Sequence, residues 1–231
     1  MAVPCPGTIA RRRAVSANGA NTAHISPSPL EPDFARLYDI GDATFVLNLI
    51  VDVDGGFAPP GASKELTNSR DRQLFHHLRT QCDLILIGGG TARTEPYRSH
   101  THQVAVLTRS GNLPDDFYTG VKPWVLTDST SIDRVTYNVQ DRAKIHLLEN
   151  VTDLVAFTAQ QGIHSVLCEG GGNLALQLAH ANLFDLIFLT RVPHRSKSTH
   201  LDIAQLIRGV PLSEEIVEAQ VAYQRHQKGE Q

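Results

Sequence analysis

Residues 166–178, VLCEGGGNLALQL, decide the fold because the periodicity changes within them. Residues 166–168 are apolar without interruption, which is typical of a buried strand. Residues 174–178 place apolar side chains at the spacing of an amphipathic helix. Three glycines lie between, at residues 170–172. Because glycine tolerates positive φ and removes the Cβ, this turn is either a tight connection or a place where an anion reaches a helix N-terminus.

The rest of the chain continues the alternation of strands and helices. Apolar strands are predicted over residues 44–51, 83–88, 103–108, 123–127, 143–148, 164–169 and 183–192, and helices over 67–82, 152–161 and after the three glycines. Residues 52–63 are predicted to be a long loop, and residues 214–227 one or two antiparallel strands. The pattern predicts an α/β fold, a mostly parallel central sheet with helices on both faces and an antiparallel C-terminal edge. In such sheets ligands bind at the carboxyl ends of the strands.

Composition limits the possible classes of function. The 231 residues carry a net charge of −3 and are 41% hydrophobic, which argues against nucleic acid as the main partner. No apolar run is long enough to span a membrane. The three cysteines are widely spaced, which favours reduced thiols and a cytoplasmic location. Residues 1–32 contain three consecutive arginines without a following apolar segment, so we expect a flexible tail rather than a secretory signal, followed by a single domain over residues 33–231.

Two further turns at strand ends suggest phosphate binding. Residues 86–96, LIGGGTARTEP, repeat the change from strand through glycines to helix. Neither glycine turn completes the GxGxxG fingerprint, and the sequence has no GxxxxGK[ST] motif. Residues 107–111, LTRSG, place two hydroxyls beside Arg109, and an arginine near the ribose is how a site accepts the 2′-phosphate of NADP. An ordinary turn with a solvated arginine is the alternative.

Four stretches in this order resemble one family. They are FVLNLIVDVDGG (45–56), LTNSRDRQLFHHLRTQCDLILIGGGTARTEPY (66–97), VLTRSG (106–111) and VLCEGGGNLALQLAHANLFDLIFLT (166–190). Over residues 37–192 the chain is similar to the RibD C-terminal family, the pyrimidine reductases of riboflavin biosynthesis, which have a dihydrofolate-reductase-like fold. The resemblance implies NADPH as cofactor, a homodimer, and reduction of the ribosyl group of 5-amino-6-(5-phosphoribosylamino)uracil to ribityl by hydride transfer to C1′.

The resemblance also implies roles for individual residues. The implied cofactor-binding residues are Ile50, Gly88, Thr91, Thr108, Arg109, Ser110, Gly170, Gly171, Gly172, Asn173 and Leu174. The implied substrate-binding residues are Ser63, Arg79, Glu95, Arg98 and Glu169. The reduced nitrogen requires a proton, and Asp54 and Glu169 are equal candidates to supply it.

Some positions depart from the family pattern. Asn48 and Gly56 replace basic residues that many members carry, and Asp52 stands where serine is usual. Fewer positive charges weaken the case for a phosphorylated substrate, so two alternatives stay open: a reductase of another heterocycle such as a dihydropterin, or a nucleotide-binding member without turnover. The spacing of the histidines fits no metal site that we know, and no metal is predicted.

Overall fold

The computed structural model describes residues 30–57, 66–95, 97, 101–193 and 199–229. The strands are β1 (Phe45–Asp52), β2 (Gly56–Phe57), β3 (Leu84–Gly88), β4 (Gln103–Leu107), β5 (Trp124–Thr127), β6 (Lys144–Leu147), β7 (Val166–Cys168), β8 (Leu186–Val192), β9 (Thr199–His200), β10 (Leu212–Glu218) and β11 (Val221–Gln227). The α-helices are α1 (Pro32–Leu37), α2 (Ser69–Arg79), α3 (Gly89–Thr94), α4 (Ile132–Val139), α5 (Leu154–Gln160), α6 (Gly172–His180) and α7 (Ile203–Leu206). Two 3₁₀ turns cover Asp115–Tyr118 and Val151–Asp153.

Nine of these strands form one sheet in the order β10-β11-β8-β1-β7-β3-β4-β5-β6. Every neighbouring pair from β8 to β6 is parallel. Strand β11 runs antiparallel to β8 and to β10. The predicted mostly parallel sheet with an antiparallel C-terminal edge is therefore confirmed. Strands β2 and β9 form a separate two-stranded sheet.

Strand β1 separates two parts of the sheet: β3 to β7 lie on one side of it, and β8, β11 and β10 lie on the other. Strand β7 is inserted between β1 and β3, where Val166 is in register with both Phe45 and Leu84. Strand β8 lies on the other side of β1. The carboxyl ends of β1, β7, β3 and β4 are consequently neighbours along one edge, which is where an open α/β sheet binds ligands.

Alternate side chains of the central strands enter different cores. On β3, Leu84 and Leu86 join the core on one face of the sheet, together with α5 and α6. Ile85 and Ile87 belong to a core on the other face, together with α4. Since all four side chains are at most 1% exposed, both faces of the strand are covered, as expected for a parallel sheet between helices.

Helix α2 follows the sequence prediction closely. The Asn68 side chain caps it by accepting a hydrogen bond from the Asp71 amide at 2.8 Å, which satisfies one of the unpaired N–H groups at the helix start. Leu74 and Leu78 are buried, whereas Phe75 and Arg79 are partly exposed. The helix therefore packs one stripe on the sheet and leaves another at the rim of the carboxyl edge.

The structure differs from the sequence prediction in several places, and the short elements β9 and α7 were also not predicted. Strand β1 extends to Asp52, and Gly56–Phe57 forms β2 inside the segment predicted to be a loop. Helix α4 was not predicted because Thr, Asn and Val give it low intrinsic propensity; burial of Val135 and Val139 holds it on the sheet. Helix α1 begins at Pro32, within the segment predicted to be a tail.

The remaining predictions on the chain termini and the cysteines have mixed outcomes. Residues 1–29 of the predicted tail lie outside the described residues. Cys82 and Cys168 are buried and free, and burial raises the pKa of each thiol to about 12. Within the described part of the chain, no helix has the length and hydropathy needed to cross a bilayer.

Candidate functional site

The two glycine turns meet at the carboxyl edge of the sheet. The Gly88 amide at the end of β3 donates a hydrogen bond to the Gly170 carbonyl oxygen at 3.3 Å. Gly170 and Gly171 adopt φ values of +135° and +90°, which residues other than glycine rarely adopt. The two turns that sequence analysis singled out separately are therefore hydrogen-bonded to each other.

The structure constrains the three glycines after β7 in different ways. A Cβ on Gly171 would lie 3.4 Å from Thr91 Oγ1, so the backbone of Gly171 lies close to the Thr91 side chain, and the turn at residues 170–172 together with Thr91 is called the glycine cradle. A Cβ on Gly172 would lie 2.7 Å from Phe57 Cζ and 2.8 Å from Leu201 Cδ1. Gly172 is therefore required by apolar packing. This packing explains the absent side chain, and the cofactor contact implied for Gly172 concerns its backbone amide at the start of α6.

Helix α6 presents its N-terminus at this cradle. Its N-cap is Gly171, and no side chain caps the helix there. The first amide groups of a helix have no intrahelical acceptor and carry a partial positive charge. Asn173 is exposed in this first turn, whereas the Leu174 side chain is buried in the core. Only the backbone of Leu174 is thus available for the cofactor contact implied for it.

A buried ion pair stands beside the glycine cradle. Arg79 Nε and Nη2 donate to Glu169 Oε1 and Oε2, each at 2.5 Å. The Arg79 side chain is 18% exposed, whereas that of Glu169 is 0% exposed. Burial alone lowers the pKa of Arg79, but the hydrogen bonds and charge of Glu169 outweigh this effect and raise it. The guanidinium, and not the carboxylate, is the member of the pair that is partly exposed to solvent.

Two aromatic residues complete the surroundings of this pair. Tyr97 Oη donates to Glu169 Oε2 at 2.9 Å, and the guanidinium carbon of Arg79 lies 4.1 Å from the ring centroid of Phe75. Burial, followed by the charge of Glu169, raises the pKa of Tyr97 well above its ordinary value, so the hydroxyl keeps its proton and remains a donor. Sequence reasoning missed Tyr97, because a lone tyrosine after a helix carries no recognisable pattern.

The turn after β4 is largely organised by its own hydroxyl groups. Thr108 Oγ1 accepts hydrogen bonds from the amides of Ser110 and Gly111 at 3.2 and 3.3 Å. Ser110 Oγ accepts from the Asn112 amide at 3.2 Å. A Cβ on Gly89 would lie 2.9 Å from Thr108 Oγ1, so this turn adjoins the first turn of α3. The two hydroxyls shape the loop, and Arg109 is left as its exposed cation.

Two charged residues near Arg109 escaped sequence analysis. Asp128, which follows β5, accepts a hydrogen bond from Arg109 Nε at 3.1 Å. Arg134 on α4 donates from Nε to the Arg109 carbonyl oxygen at 2.9 Å. Asp128 has no sequence signal because its contact depends on the pairing of β4 with β5. Arg134 has none because it lies on α4, a helix that the sequence did not predict.

The remaining candidates are distributed around the same edge. Asp54 is exposed in the turn after β1, Ile50 is partly buried on β1 and Glu95 is partly buried at the end of α3. Ser63 and Arg98 lie outside the described residues. Most of the described candidates therefore lie at or just after the carboxyl ends of four adjacent strands, β1, β7, β3 and β4, and Arg79 contacts Glu169 from α2.

Helix α2 carries one further acidic group toward this edge. Asp71, Phe75 and Arg79 are spaced four residues apart, so they share one stripe of the helix, and all three are partly buried. Asp71 Oδ2 accepts a hydrogen bond from Thr67 Oγ1 at 2.6 Å. Burial raises the pKa of the Asp71 carboxyl. From the sequence, Asp71 is an ordinary first-turn residue of a helix.

Metal binding has no support among the described residues. No group of three or more histidine, cysteine or acidic side chains is arranged there to hold an ion. The chemistry available at the edge is instead that of backbone amides, two arginines and several carboxylates.

Comparison with protein families identifies one match. The model of the RibD C-terminal domain family matches residues 43–194. The riboflavin biosynthesis protein RibD of Synechocystis sp. is 30% identical over 148 residues, which cover 57% of this chain and 40% of that protein. The chain thus spans less than half the length of this relative.

Solved structures with the same fold include reductases. A pyrimidine reductase-like protein of Corynebacterium diphtheriae is 17% identical, with a TM-score of 0.64 over 83% of this chain and 94% of that one. The riboflavin biosynthesis reductase Rib7 of Saccharomyces cerevisiae is 16% identical, with a TM-score of 0.63 over 85% and 98%. Dihydrofolate reductase of Enterococcus faecalis, complexed with NADP(H), is 12% identical, with a TM-score of 0.52 over 81% and 97%.

The structural neighbours establish the dihydrofolate-reductase-like fold that the resemblance implied. The family match covers the strands and turns that form the carboxyl edge, from β1 to β8. The chain therefore belongs to the RibD C-terminal domain family.

Proposed function

We propose that this protein is an NADPH-dependent reductase of riboflavin biosynthesis that converts the ribosyl group of 5-amino-6-(5-phosphoribosylamino)uracil to ribityl. One observation carries the proposal: the hydrogen bond from Gly88 to Gly170 joins two glycine turns beside the uncapped N-terminus of α6. This arrangement offers backbone amides to a pyrophosphate. The Arg79–Glu169 pair lies next to it and offers a cation to the substrate.

The glycine cradle fits a nicotinamide dinucleotide. A Cβ on Gly171 would narrow the space beside Thr91. The positive φ values at residues 170 and 171 require glycine, so no side chain stands between this backbone and a ligand. The amides of Gly172, Asn173 and Leu174 would hold the pyrophosphate. Because the candidate residues follow adjacent strands about 4.8 Å apart, the edge suits an elongated ligand. The Thr108–Ser110 turn lies farther along it, where Arg109 would meet the 2′-phosphate.

The chemistry requires a hydride and a proton. Bound NADPH would supply the hydride to C1′ of the opened ribosylamine, whose nitrogen takes a proton as the cofactor is oxidised. Of the two predicted proton donors, Glu169 is fully buried and both its oxygens accept hydrogen bonds. Asp54 is exposed at the end of β1. We therefore assign to Asp54 the relay of a proton from solvent water to the nitrogen, and to Glu169 the orientation of Arg79.

Substrate recognition would depend on Arg79. Its guanidinium is fixed by Glu169 and packed on Phe75, and a fixed guanidinium pairs well with a phosphate or a carbonyl oxygen. Arg98, Ser63 and Glu95 are the other proposed substrate contacts. The absence of basic residues at Asn48 and Gly56 leaves reduction of a dihydropterin, or binding without turnover, as the competing outcomes of the test below.

A homodimer and a cytoplasmic location complete the proposal. Edge strand β10 leaves Leu212 and Val217 50% and 63% exposed. Exposed apolar side chains on an edge strand are a surface that a second copy would cover. Sedimentation of the purified protein tests this part separately.

The central experiment measures cofactor binding and oxidation. We expect NADPH to bind and to be oxidised when the phosphoribosylaminouracil is added. Oxidation with a dihydropterin but not with the uracil derivative would select the first alternative, and binding without oxidation by either would select the second. A chain that does not bind NADPH would refute the proposal.

A glycine variant tests the location of the cofactor. Gly171→Ala adds a Cβ at φ +90° and 3.4 Å from Thr91 Oγ1. We expect NADPH affinity to fall by about tenfold or more, since a misfit above about 1.4 kcal/mol has that effect. Gly162→Ala is the matched control, because Gly162 also has positive φ (+68°) but its Cβ would meet nothing within 4 Å. Equal losses in both variants would show that backbone strain, and not the site, is responsible.

A further inference from the structure

Arg109 is hydrogen-bonded to the Asp128 carboxylate and lies where the 2′-phosphate of the cofactor is expected to bind. Its Nε donates to Asp128 Oδ2 at 3.1 Å, yet its side chain is 81% exposed while that of Asp128 is 17% exposed. An ion pair this open to water is weak. The arginine is consequently held in place without being fully engaged, and a stronger anion can take it over.

Asp128 is the fixed partner in this pair. Its Oδ1 accepts a hydrogen bond from Thr130 Oγ1 at 2.6 Å. Hydrogen bonds from Thr130 and Ser131, followed by smaller effects that include Arg109, lower the pKa of Asp128 to about 2. The carboxylate therefore stays charged at any working pH. A phosphate that binds Arg109 must approach this permanent negative charge.

A second guanidinium is attached to the same turn. Arg134 Nε donates to the carbonyl oxygen of Arg109 at 2.9 Å, and the Arg134 side chain is exposed on α4. Asn138, one turn farther along α4, donates to the Ser110 carbonyl oxygen at 2.7 Å. Helix α4 thus fixes the backbone of the turn and brings one more positive charge to it.

We propose that Asp128 and Arg134 set the preference of this site between NADPH and NADH. The inference rests on the proposed function, because it assumes that the 2′-phosphate reaches Arg109. The phosphate displaces Asp128 from Arg109 and gains the charge of Arg134, since a dianion pairs with guanidinium groups more strongly than a shared carboxylate does. NADH has a hydroxyl at that position, so it leaves the Arg109–Asp128 pair intact. Asp128 acts here as a positioning residue that opposes phosphate, and Arg134 as a residue that favours it.

The test compares dissociation constants for NADPH and NADH in a double-mutant cycle. The variants are Asp128→Asn, Arg109→Ala and the combination of the two. We expect Asp128→Asn to tighten NADPH binding by roughly two- to fivefold, the upper part of the range for an exposed charge pair, and to change NADH binding by less than about 1.5-fold. In the Arg109→Ala background the same substitution should have a smaller effect on NADPH, because the competition for Arg109 no longer exists.

Arg134 is tested in parallel. Arg134→Ala should weaken NADPH binding by about two- to fivefold and leave NADH binding unchanged, while Arg134→Lys should restore part of the loss by returning the charge. The NADPH effect should shrink at high salt. A merely structural role for either residue would shift both cofactors equally.

The outcomes separate this inference from the proposed function. If the wild-type chain binds NADPH but the ratio of the two dissociation constants is unchanged in Asp128→Asn and in Arg134→Ala, only the inference is overturned. If the two substitutions of the cycle are additive, competition for Arg109 is overturned. If the wild-type chain does not bind NADPH, the proposed function itself fails.

Discussion

Two arginine–carboxylate pairs lie along the same edge of the sheet, and they differ in exposure. In the Arg79–Glu169 pair the side chains are 18% and 0% exposed, and the contact is bidentate. In the Arg109–Asp128 pair the side chains are 81% and 17% exposed, and a single nitrogen makes the contact. The first pair is part of the interior, whereas the second is a surface contact.

Because the two pairs differ in exposure, they differ in how readily the arginine separates from its carboxylate. Removing one partner of a buried pair leaves an uncompensated charge without water, so the pair must stay together once the chain has folded. An exposed pair can separate at small cost because water and salt screen both charges. We therefore expect Arg79 to be a fixed element of the cleft and Arg109 to change partners when an anion arrives.

The largest predicted effect comes from breaking the buried pair. Glu169→Ala leaves the Arg79 guanidinium buried without its partner, and we expect the free energy of unfolding to fall by about 3–5 kcal/mol. Urea unfolding followed by circular dichroism measures it. The double variant Arg79→Met/Glu169→Leu should be more stable than Glu169→Ala, because it leaves no unpaired charge. A loss below about 1 kcal/mol would show that water already reaches the pair.

A smaller effect is expected from Tyr97. Tyr97→Phe removes the hydroxyl that donates to Glu169 Oε2, and a hydrogen bond to a charged group contributes about 1.5–3 kcal/mol. Chemical unfolding of the variant gives the difference. Tyr137→Phe is the matched control, because Tyr137 is 81% exposed, and it should leave stability unchanged. Equal effects of the two substitutions would contradict the buried network.

The smallest effect is expected at the exposed pair. Arg109→Ala should change the free energy of unfolding by less than about 0.5 kcal/mol. The pKa of Asp128, about 2, should rise more in Thr130→Ala than in Arg109→Ala, because the hydrogen bond from Thr130 is its largest cause. NMR titration of the side-chain carboxyl measures both. An Asp128 pKa that returns to its ordinary value in Arg109→Ala would show that the ion pair is the main cause.

The pH dependence of this pair follows from the direction of the shift. The folded pKa of Asp128 lies below its ordinary value of 3.8, so the folded chain binds the proton less readily than the unfolded chain. The stabilising contribution is complete above the ordinary pKa and is lost as the pH falls from there toward about 2. Near neutral pH, stability should not respond to this group.

The sequence allowed the fold and the positions of the two glycine turns to be predicted. Strong apolar runs such as residues 83–88 gave β3, and the changes of periodicity at Gly88 and Gly171 located both glycine turns. These signals are local, since they depend on neighbours within a few residues. The parallel sheet then brings the strand ends together by topology alone.

The rest of the site could not be predicted because it depends on contacts distant in sequence. Arg79 and Glu169 were each singled out, but their pairing depends on how α2 crosses the sheet. Arg134 lies on a helix stabilised by burial rather than by propensity. Gly172 was singled out for cofactor binding, and the packing of Phe57 and Leu201 against it, which also requires a glycine there, has no local signal in the sequence.

The position of β1 has a consequence for how the chain matures. Both sheet neighbours of β1, β7 and β8, are encoded far downstream, so an apolar strand leaves the ribosome long before its partners exist. Non-local pairing of this kind slows folding and exposes strand edges to association. During synthesis, the edges of this strand therefore stay unpaired until residues 166–192 have been made.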